Sequence, residues 1–318
     1  MATLSDVRVV TTSALVSVSD VVLNLIVALL TGSTVMLSQA LQGLSDLVTS
    51  GLLFVGVKRS GRIADAQFQF GYGREIFFWV LIASIIMFAG TGTMSLYFGY
   101  QQILYPSPVE HVWIAFVMLA FGLATNGYAF SLSLTRLREQ GESDVHWWRS
   151  LGNSSLIETK ATFAIDFLGT SAAVLGLVAL VVYQLTGLAQ FDGVGSVLIG
   201  LTMMIAAVML MRDIHDLIVG RGVDARTLTA LKREALAVDG VNAVLDLLTM
   251  YVGSSKLFVV MELHLRDNFT TDEIEHIIDE VKRRVRAKIP LVHHIQIEVE
   301  TPDDEITTRS RTNRRAHH

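Results

Sequence analysis

From residue 9 to residue 211 the chain alternates long apolar runs with short polar breaks. A helix needs about 20 apolar residues to cross a bilayer. Segments 9–30, 34–57, 76–100, 111–135, 157–184 and 191–211 meet that length and predict six transmembrane helices. Gly32-Ser33 leaves only a tight turn between the first two, so they form an antiparallel hairpin. Small residues recur inside the runs, as in GTGTMS and GTSAAVLG, and these let helices approach closely in lipid.

The pattern changes at 222. RTLTALKREALA has the period of an amphipathic helix, and NAVLDLLTMYVG and KLFVVMELHLRD read as strands. TTDEIEHIIDEVKRRVRAKI is a second amphipathic helix, acidic at its start and basic at its end, and HHIQIEVE is a last strand. The order αββαβ predicts a small α+β domain with its helices on one face of a sheet. Strand parity sorts the residues: Leu257, Val259, Met261, Leu263 and Leu265 share one face, with Glu262 and His264 opposite. Ile295, Ile297 and Val299 likewise oppose His294, Gln296, Glu298 and Glu300. The polar face is either solvated or a metal site. The expected division is 1–220 transmembrane, 221–301 a folded domain, and 302–318 a polar, basic tail without order.

Composition agrees with the pattern. Of 318 residues 51% are hydrophobic and 17% charged, against about 25% charged in a soluble domain, and mean hydropathy is +0.48. A net charge of −5 gives no reason to expect nucleic-acid binding. The absence of cysteine excludes disulfides and thiolate metal sites. The first apolar run lacks a basic start and a small-residue cleavage site, so it reads as a retained helix. Lys58, Arg59, Arg62 and Arg74 lie between spans two and three; Arg136, Arg138 and Arg149 lie between spans four and five; Arg212 and Arg221 follow span six. Basic loops stay in the cytoplasm, which places both termini and the last hundred residues there.

Two aspartates break the apolar runs: Asp46 in span two and Asp166 in span five. A carboxylate at bilayer depth costs roughly 2.5–3.5 kcal/mol even on mild scales, so each belongs in a packed interior or a water-filled path. Gln42 and Thr162 lie four residues earlier on the same helical faces, and Glu158 extends the second face by another turn. That is a candidate cation site. Lys160 lies off this face and is expected to snorkel to the interface. Asp20 and Asn24 share a face of span one, Asn126 is placed to tie span four to a neighbour, and Asp192 opens span six as a helix cap.

Together these segments resemble the cation diffusion facilitator family. The resemblance rests on GSTVMLSQALQGLSDLVTS, DAQFQFGYGREIFFW, ETKATFAIDFLGTSAAVLG, FDGVGSVLIG and the closing HHIQIEVE, in that order, over nearly the whole chain. It implies six transmembrane helices, a cytoplasmic metallochaperone-like, ferredoxin-like domain and a homodimer formed by that domain and by transmembrane contacts. It further implies proton-coupled export of a divalent metal from the cell across its inner or plasma membrane, with the metal as cargo and no cofactor. The family's site is a His or Asp four residues before an Asp on spans two and five. Both aspartates match, whereas Gln42 and Thr162 replace the partner ligands. Phe68 and Tyr72 stand where relatives often carry histidine, so a second site in that loop is not expected, although Asp65 remains. In the tail the ligand positions of some relatives fall near Glu262, His264, Glu298 and Glu300.

Replacing imidazoles by a Gln carbonyl and a Thr hydroxyl leaves an all-oxygen set, which suits Mn(II), Fe(II) or Mg(II) better than zinc. An alternative is a relative that keeps the fold as a membrane scaffold or assembly partner with a degenerate metal site. A membrane-embedded aspartyl enzyme is disfavoured, because no further catalytic constellation accompanies the two aspartates.

Overall fold

The computed structural model describes residues 4–140 and 157–301, and the side chains of residues 18–135 and 163–301. The expected tail 302–318 and Arg149, and the side chains of Arg136, Arg138, Glu158, Lys160 and Thr162, lie outside the described residues. The chain divides into two compact units, Met1–His215 and Asp216–His318.

The first unit is helical. Its elements are α1 (Leu4–Thr31), α2 (Thr34–Ser60), α3 (Glu75–Ile85), a π-helical segment Ile86–Gly92, α4 (Thr93–Leu104), α5 (Val112–Gln140), α6 (Ile157–Thr186) and most of α7 (Gln190–Val219). Among the described residues five stretches are long and apolar enough to span a membrane: Thr34–Ser60, Glu75–Leu104, Val112–Thr135, Phe163–Thr186 and Gln190–Val219. Val18–Thr31 is a shorter apolar helical stretch. The chain is an integral membrane protein. Gly32 turns α1 into α2 at φ +67°, a conformation glycine adopts without a Cβ penalty. The small residues allow backbone contact: a Cβ at Gly99 would lie 2.7 Å from the Gly193 carbonyl oxygen, and one at Gly200 would lie 2.9 Å from that of Gly92.

The π-helical segment was not legible in the hydropathy. Thr93 Oγ1 reaches back five residues to the Phe88 carbonyl at 2.9 Å, and Thr91 Oγ1 reaches Met87 at 3.2 Å. These hydroxyls supply donors inside the helix, where the backbone ladder changes register.

The second unit adds α8 (Ala225–Leu236), β1 (Val241–Gly253), β2 (Lys256–Leu265), α9 (Thr271–Lys288) and β3 (Val292–Val299). β1 pairs antiparallel with β2, and β2 pairs parallel with β3 across the α9 crossover. Leu257, Val259, Met261 and Leu263 of β2 are fully buried, as are Val281 and Val285 of α9 and Leu231 and Ala235 of α8. Thr270 and Glu273 form a capping box at the start of α9, and its hydrogen bonds hold the Glu273 carboxyl below the usual range. The buried carboxylate of Glu234 on α8 accepts from Arg284 of α9 at 3.1 Å and from Arg233 at 3.3 Å. The order αββαβ is the one the periodicities predict.

Candidate functional site

The middle of the helical unit collects its polar groups from four helices. On α2, Gln42 is 3% exposed and its amide nitrogen donates to Asp46 Oδ2. The carbonyl anticipated as a ligand is therefore not the group facing Asp46. A carboxylate only accepts hydrogen bonds, so its neighbour presents a donor. Ser45 Oγ and Gln39 Nε2, also buried on α2, have no hydrogen-bond partner among the described residues.

Asp166 on α6 is partly buried, and Ser133 Oγ of α5 donates to its Oδ2. One hydroxyl beside Asp166 thus comes from a neighbouring helix that the spacing rule did not search. Phe130 of α5 and Phe163 and Phe167 of α6 form an aromatic cluster next to this pair, with centroids 5.4 to 6.4 Å apart. Farther along α6, Gly169 leaves room for Asn126: a Cβ there would lie 2.9 Å from the Asn126 amide. Asn126 accordingly packs across the α5–α6 seam.

α1 contributes Asp20, whose Oδ2 would lie 3.8 Å from a Cβ at Gly43 of α2. Its neighbour Asn24 donates to the Asp20 backbone oxygen at 3.0 Å, an intrahelical bond. Both Asp20 and Asp166 lie close enough for their charges to act on Asp46. Among the described residues no three His, Asp or Glu side chains converge as a ready metal cage.

Asp192 differs from its expected role. Its carboxylate is fully buried and caps α2. Oδ1 accepts from Ser33 Oγ at 2.5 Å and from Val35 N at 3.2 Å; Oδ2 accepts from Thr34 N at 2.6 Å and Thr34 Oγ1 at 2.8 Å. The first backbone N–H groups of a helix lack intrahelical partners and attract an anion. One turn deeper Ser38 and Ser196 hydroxyls meet at 2.6 Å, and Ser196 donates on to the Ser95 carbonyl at 3.0 Å. This ties α2, α4 and α7 together at one end.

In the loop between α2 and α3, Asp65 is fully engaged by the chain itself. Oδ1 accepts from the Gln67 and Phe68 amides at 2.9 and 2.8 Å, and Oδ2 accepts from the Tyr72 hydroxyl at 2.6 Å. Those bonds, that from Tyr72 first, hold the Asp65 carboxyl below its usual range and push the Tyr72 hydroxyl up. The Arg62 guanidinium lies 4.2 Å from the Tyr72 ring centroid.

The outer face of the sheet carries a row of acids. Asp246 of β1, Glu262 of β2 and Glu298 of β3 are register neighbours. His264 Nδ1 lies 3.3 Å from the Glu300 carbonyl oxygen, and Phe258 stacks on His294 with centroids 5.3 Å apart. Partial burial, then the charges of Glu300, Asp246 and Glu298, push the Glu262 carboxyl up. Asp246 is a member the sequence reading missed. A register shift between Val244 and Asp246 breaks simple alternation on β1, and a bulge leaves little trace in the residue pattern.

Comparison with known proteins follows this architecture. Residues 10–219 match the family model for the cation efflux transmembrane domain, and 223–302 match that for the cation efflux protein cytoplasmic domain. The mitochondrial proton-coupled zinc antiporter SLC30A9 of Xenopus laevis is 24% identical over 264 residues, 80% of this chain and 46% of that protein. The metal cation efflux system protein CzcD of Cupriavidus metallidurans is 24% identical over 267 residues, 83% of this chain and 77% of that protein. A nickel form of the MamM C-terminal domain is 21% identical, covering 25% of this chain and all of that one, at a TM-score of 0.24. The chain spans about half the length of the SLC30A9 relatives it matches. With two family models covering both units in order, the chain belongs to the cation efflux family.

Proposed function

We propose that this protein exports divalent metal cations by alternating access, exchanging them for protons at a site built on Asp46 and Asp166. The observation that carries the reading is the enclosure of these two carboxylates by neutral polar groups, Gln42 on one and Ser133 on the other, within apolar helices. Two carboxylates balance a divalent charge, and a metal ion binding to them displaces protons. Ion flow in one direction then drives protons in the other. On binding, the Gln42 amide turns over so that its carbonyl joins the ion; Thr162 and Glu158 extend the same face of α6 toward one membrane surface. The oxygen donors favour Mn(II), Fe(II) or Mg(II) over zinc.

In this reading α1 is the sixth span, both termini face the cytoplasm, and the domain beyond residue 220 forms a homodimer. Glu262, His264, Glu298 and Glu300, with Asp246, form the cytoplasmic face to which metal binds. Support comes from the basic loops, from the row of like charges across the strands and from the match to the cytoplasmic domain model.

The test is uptake of Mn²⁺, Fe²⁺, Mg²⁺ and Zn²⁺ by proteoliposomes, with internal pH followed by a dye. Asp46→Ala and Asp166→Ala are expected to lower uptake by more than about 100-fold while the protein still assembles. Full uptake in both variants removes the site, and a clear zinc preference removes the ion assignment. Metal-independent assembly without uptake of any of the four ions supports the scaffold reading instead.

A further inference from the structure

We infer that Ser133 of α5 is a specificity-determining residue of the ion site, holding Asp166 as a monodentate ligand and thereby selecting against large divalent ions. This inference rests on the transport reading above. In an apolar helix a hydroxyl normally satisfies itself on its own backbone, and α5 shows the habit three times. Thr125 donates to Phe121 at 3.1 Å, Ser131 to Tyr128 at 2.7 Å and Thr135 to Ser131 at 2.9 Å. Ser133 lies among them, yet its hydroxyl crosses to α6 and donates to Asp166 Oδ2.

Its burial is as distinctive as its bond. Ser133 is 7% exposed, and of the α5 side chains described between 120 and 135 it is the one that is buried. Phe130, Asn126 and Ser133 fall on one helical face toward α6, where Phe163 and Gly169 receive the first two. The aromatic cluster and the Asn126–Gly169 contact thus hold the two helices in the register that brings Ser133 to Asp166.

The chemical consequence follows from the carboxylate. An oxygen that accepts a fixed hydroxyl is a poor partner for bidentate chelation, so the ion meets Asp166 through one oxygen. Small ions with octahedral preference accept that geometry, binding oxygens at about 2.0–2.1 Å in the case of Mg²⁺. Ca²⁺ takes six to eight oxygens at about 2.3–2.6 Å and gains from a bidentate carboxylate. Removing the hydroxyl takes the fixed donor off Asp166 Oδ2, which eases chelation through that oxygen and narrows the preference.

The experiment uses the reconstituted full chain. Uptake of the best-carried ion among Mn²⁺, Fe²⁺, Mg²⁺ and Zn²⁺ is competed with Ca²⁺ in the parent and in Ser133→Ala, Ser133→Cys and Ser133→Thr. Ala and Cys are expected to strengthen Ca²⁺ competition by about tenfold, the order of one hydrogen bond to a charged group. Thr, which keeps the hydroxyl, retains the parental value. A merely structural serine would alter the amount of active protein and leave the ratio between ions unchanged. Competition by Ca²⁺ within about twofold of the parent in both Ala and Cys overturns the inference, as does a shift in Thr equal to that in Ala. Should Ala not assemble, Cys, which keeps the volume, decides alone. Failure of the transport reading shows separately, as uptake in the parent that does not depend on Asp166.

Discussion

The two units use acidic residues in opposite ways. In the helical unit Asp46, Asp166 and Asp192 each accept from a named donor, and two of these bonds cross between helices. On the sheet, Asp246, Glu262 and Glu298 face each other across adjacent strands, like charge against like. Lipid makes an unpartnered carboxylate so costly that these three are built into the packing. Water tolerates the row, because exposed carboxylates remain solvated and screened. A buried acid in the first unit is therefore structural evidence by itself, whereas an acid in the second acquires meaning only through its neighbours.

Asp192 puts the first half of that comparison at risk with the largest expected loss of stability. Asp192→Ala removes the acceptor for two backbone amides and two hydroxyls at the start of α2. Buried donors left without a partner cost on the order of 3 kcal/mol in sum, allowing for relaxation. Asp192→Asn, which keeps one acceptor oxygen, is expected to fall between the parent and the Ala variant. Thermal unfolding in detergent, followed by tryptophan fluorescence, measures both. The assay suits the question because the tryptophans, at 79, 113, 147 and 148, all precede the second unit. If Ala unfolds at the parental temperature, the buried carboxylate is not the pin between α2 and α7.

A smaller effect is expected where the helices touch backbone to backbone. Gly99→Ala places a methyl 2.7 Å from the Gly193 carbonyl oxygen and 2.8 Å from the Val197 nitrogen. Neither is a flexible side-chain end, so α4 and α7 must separate. Overpacking of this kind costs about 1–3 kcal/mol. The control is Gly51→Ala on α2, where a Cβ meets nothing within 4 Å; it should leave the unfolding temperature unchanged. Equal behaviour of the two variants would mean that the glycine contacts are incidental to packing.

How much of this was legible in the sequence follows the same division. The helices and the αββαβ order were readable, because hydropathy and amphipathic period are local properties. Asp46 and Asp166 stood out because charges are rare in such runs. Their partners among the described side chains were only half readable. Gln42 is four residues from Asp46 and shares its helix face, but Ser133 is 33 residues from Asp166, and nothing local distinguishes it from Ser131. Asp192 was seen as a cap and assigned to its own helix, since the sequence does not say that α2 begins beside it. On the sheet, alternation placed Glu262 and Glu298 on one face, and the β1 bulge concealed Asp246.

The smallest effect probes the sheet and carries a sign. Glu262 has its carboxyl pushed up by partial burial and then by Glu300, Asp246 and Glu298. A carboxyl whose folded value is raised favours folding while protonated. Its contribution is complete below the ordinary glutamate range and is lost as pH rises through the raised value. Glu262→Gln removes that dependence, so the variant should match the parent in acid and exceed it near neutrality. Relief of one opposed like-charge pair is worth about 0.2–1 kcal/mol. Hydrogen exchange of the β2 amides, Leu257 to Leu265, measures the difference locally in the full chain. Slower exchange in the variant at neutral pH, converging with the parent in acid, shows that the row is held together against its own charge. A row in that condition gains from a divalent cation, so added Mn²⁺ should slow exchange in the parent more than in the variant. Equal exchange in both proteins at every pH would reduce the row to three ordinary solvated acids.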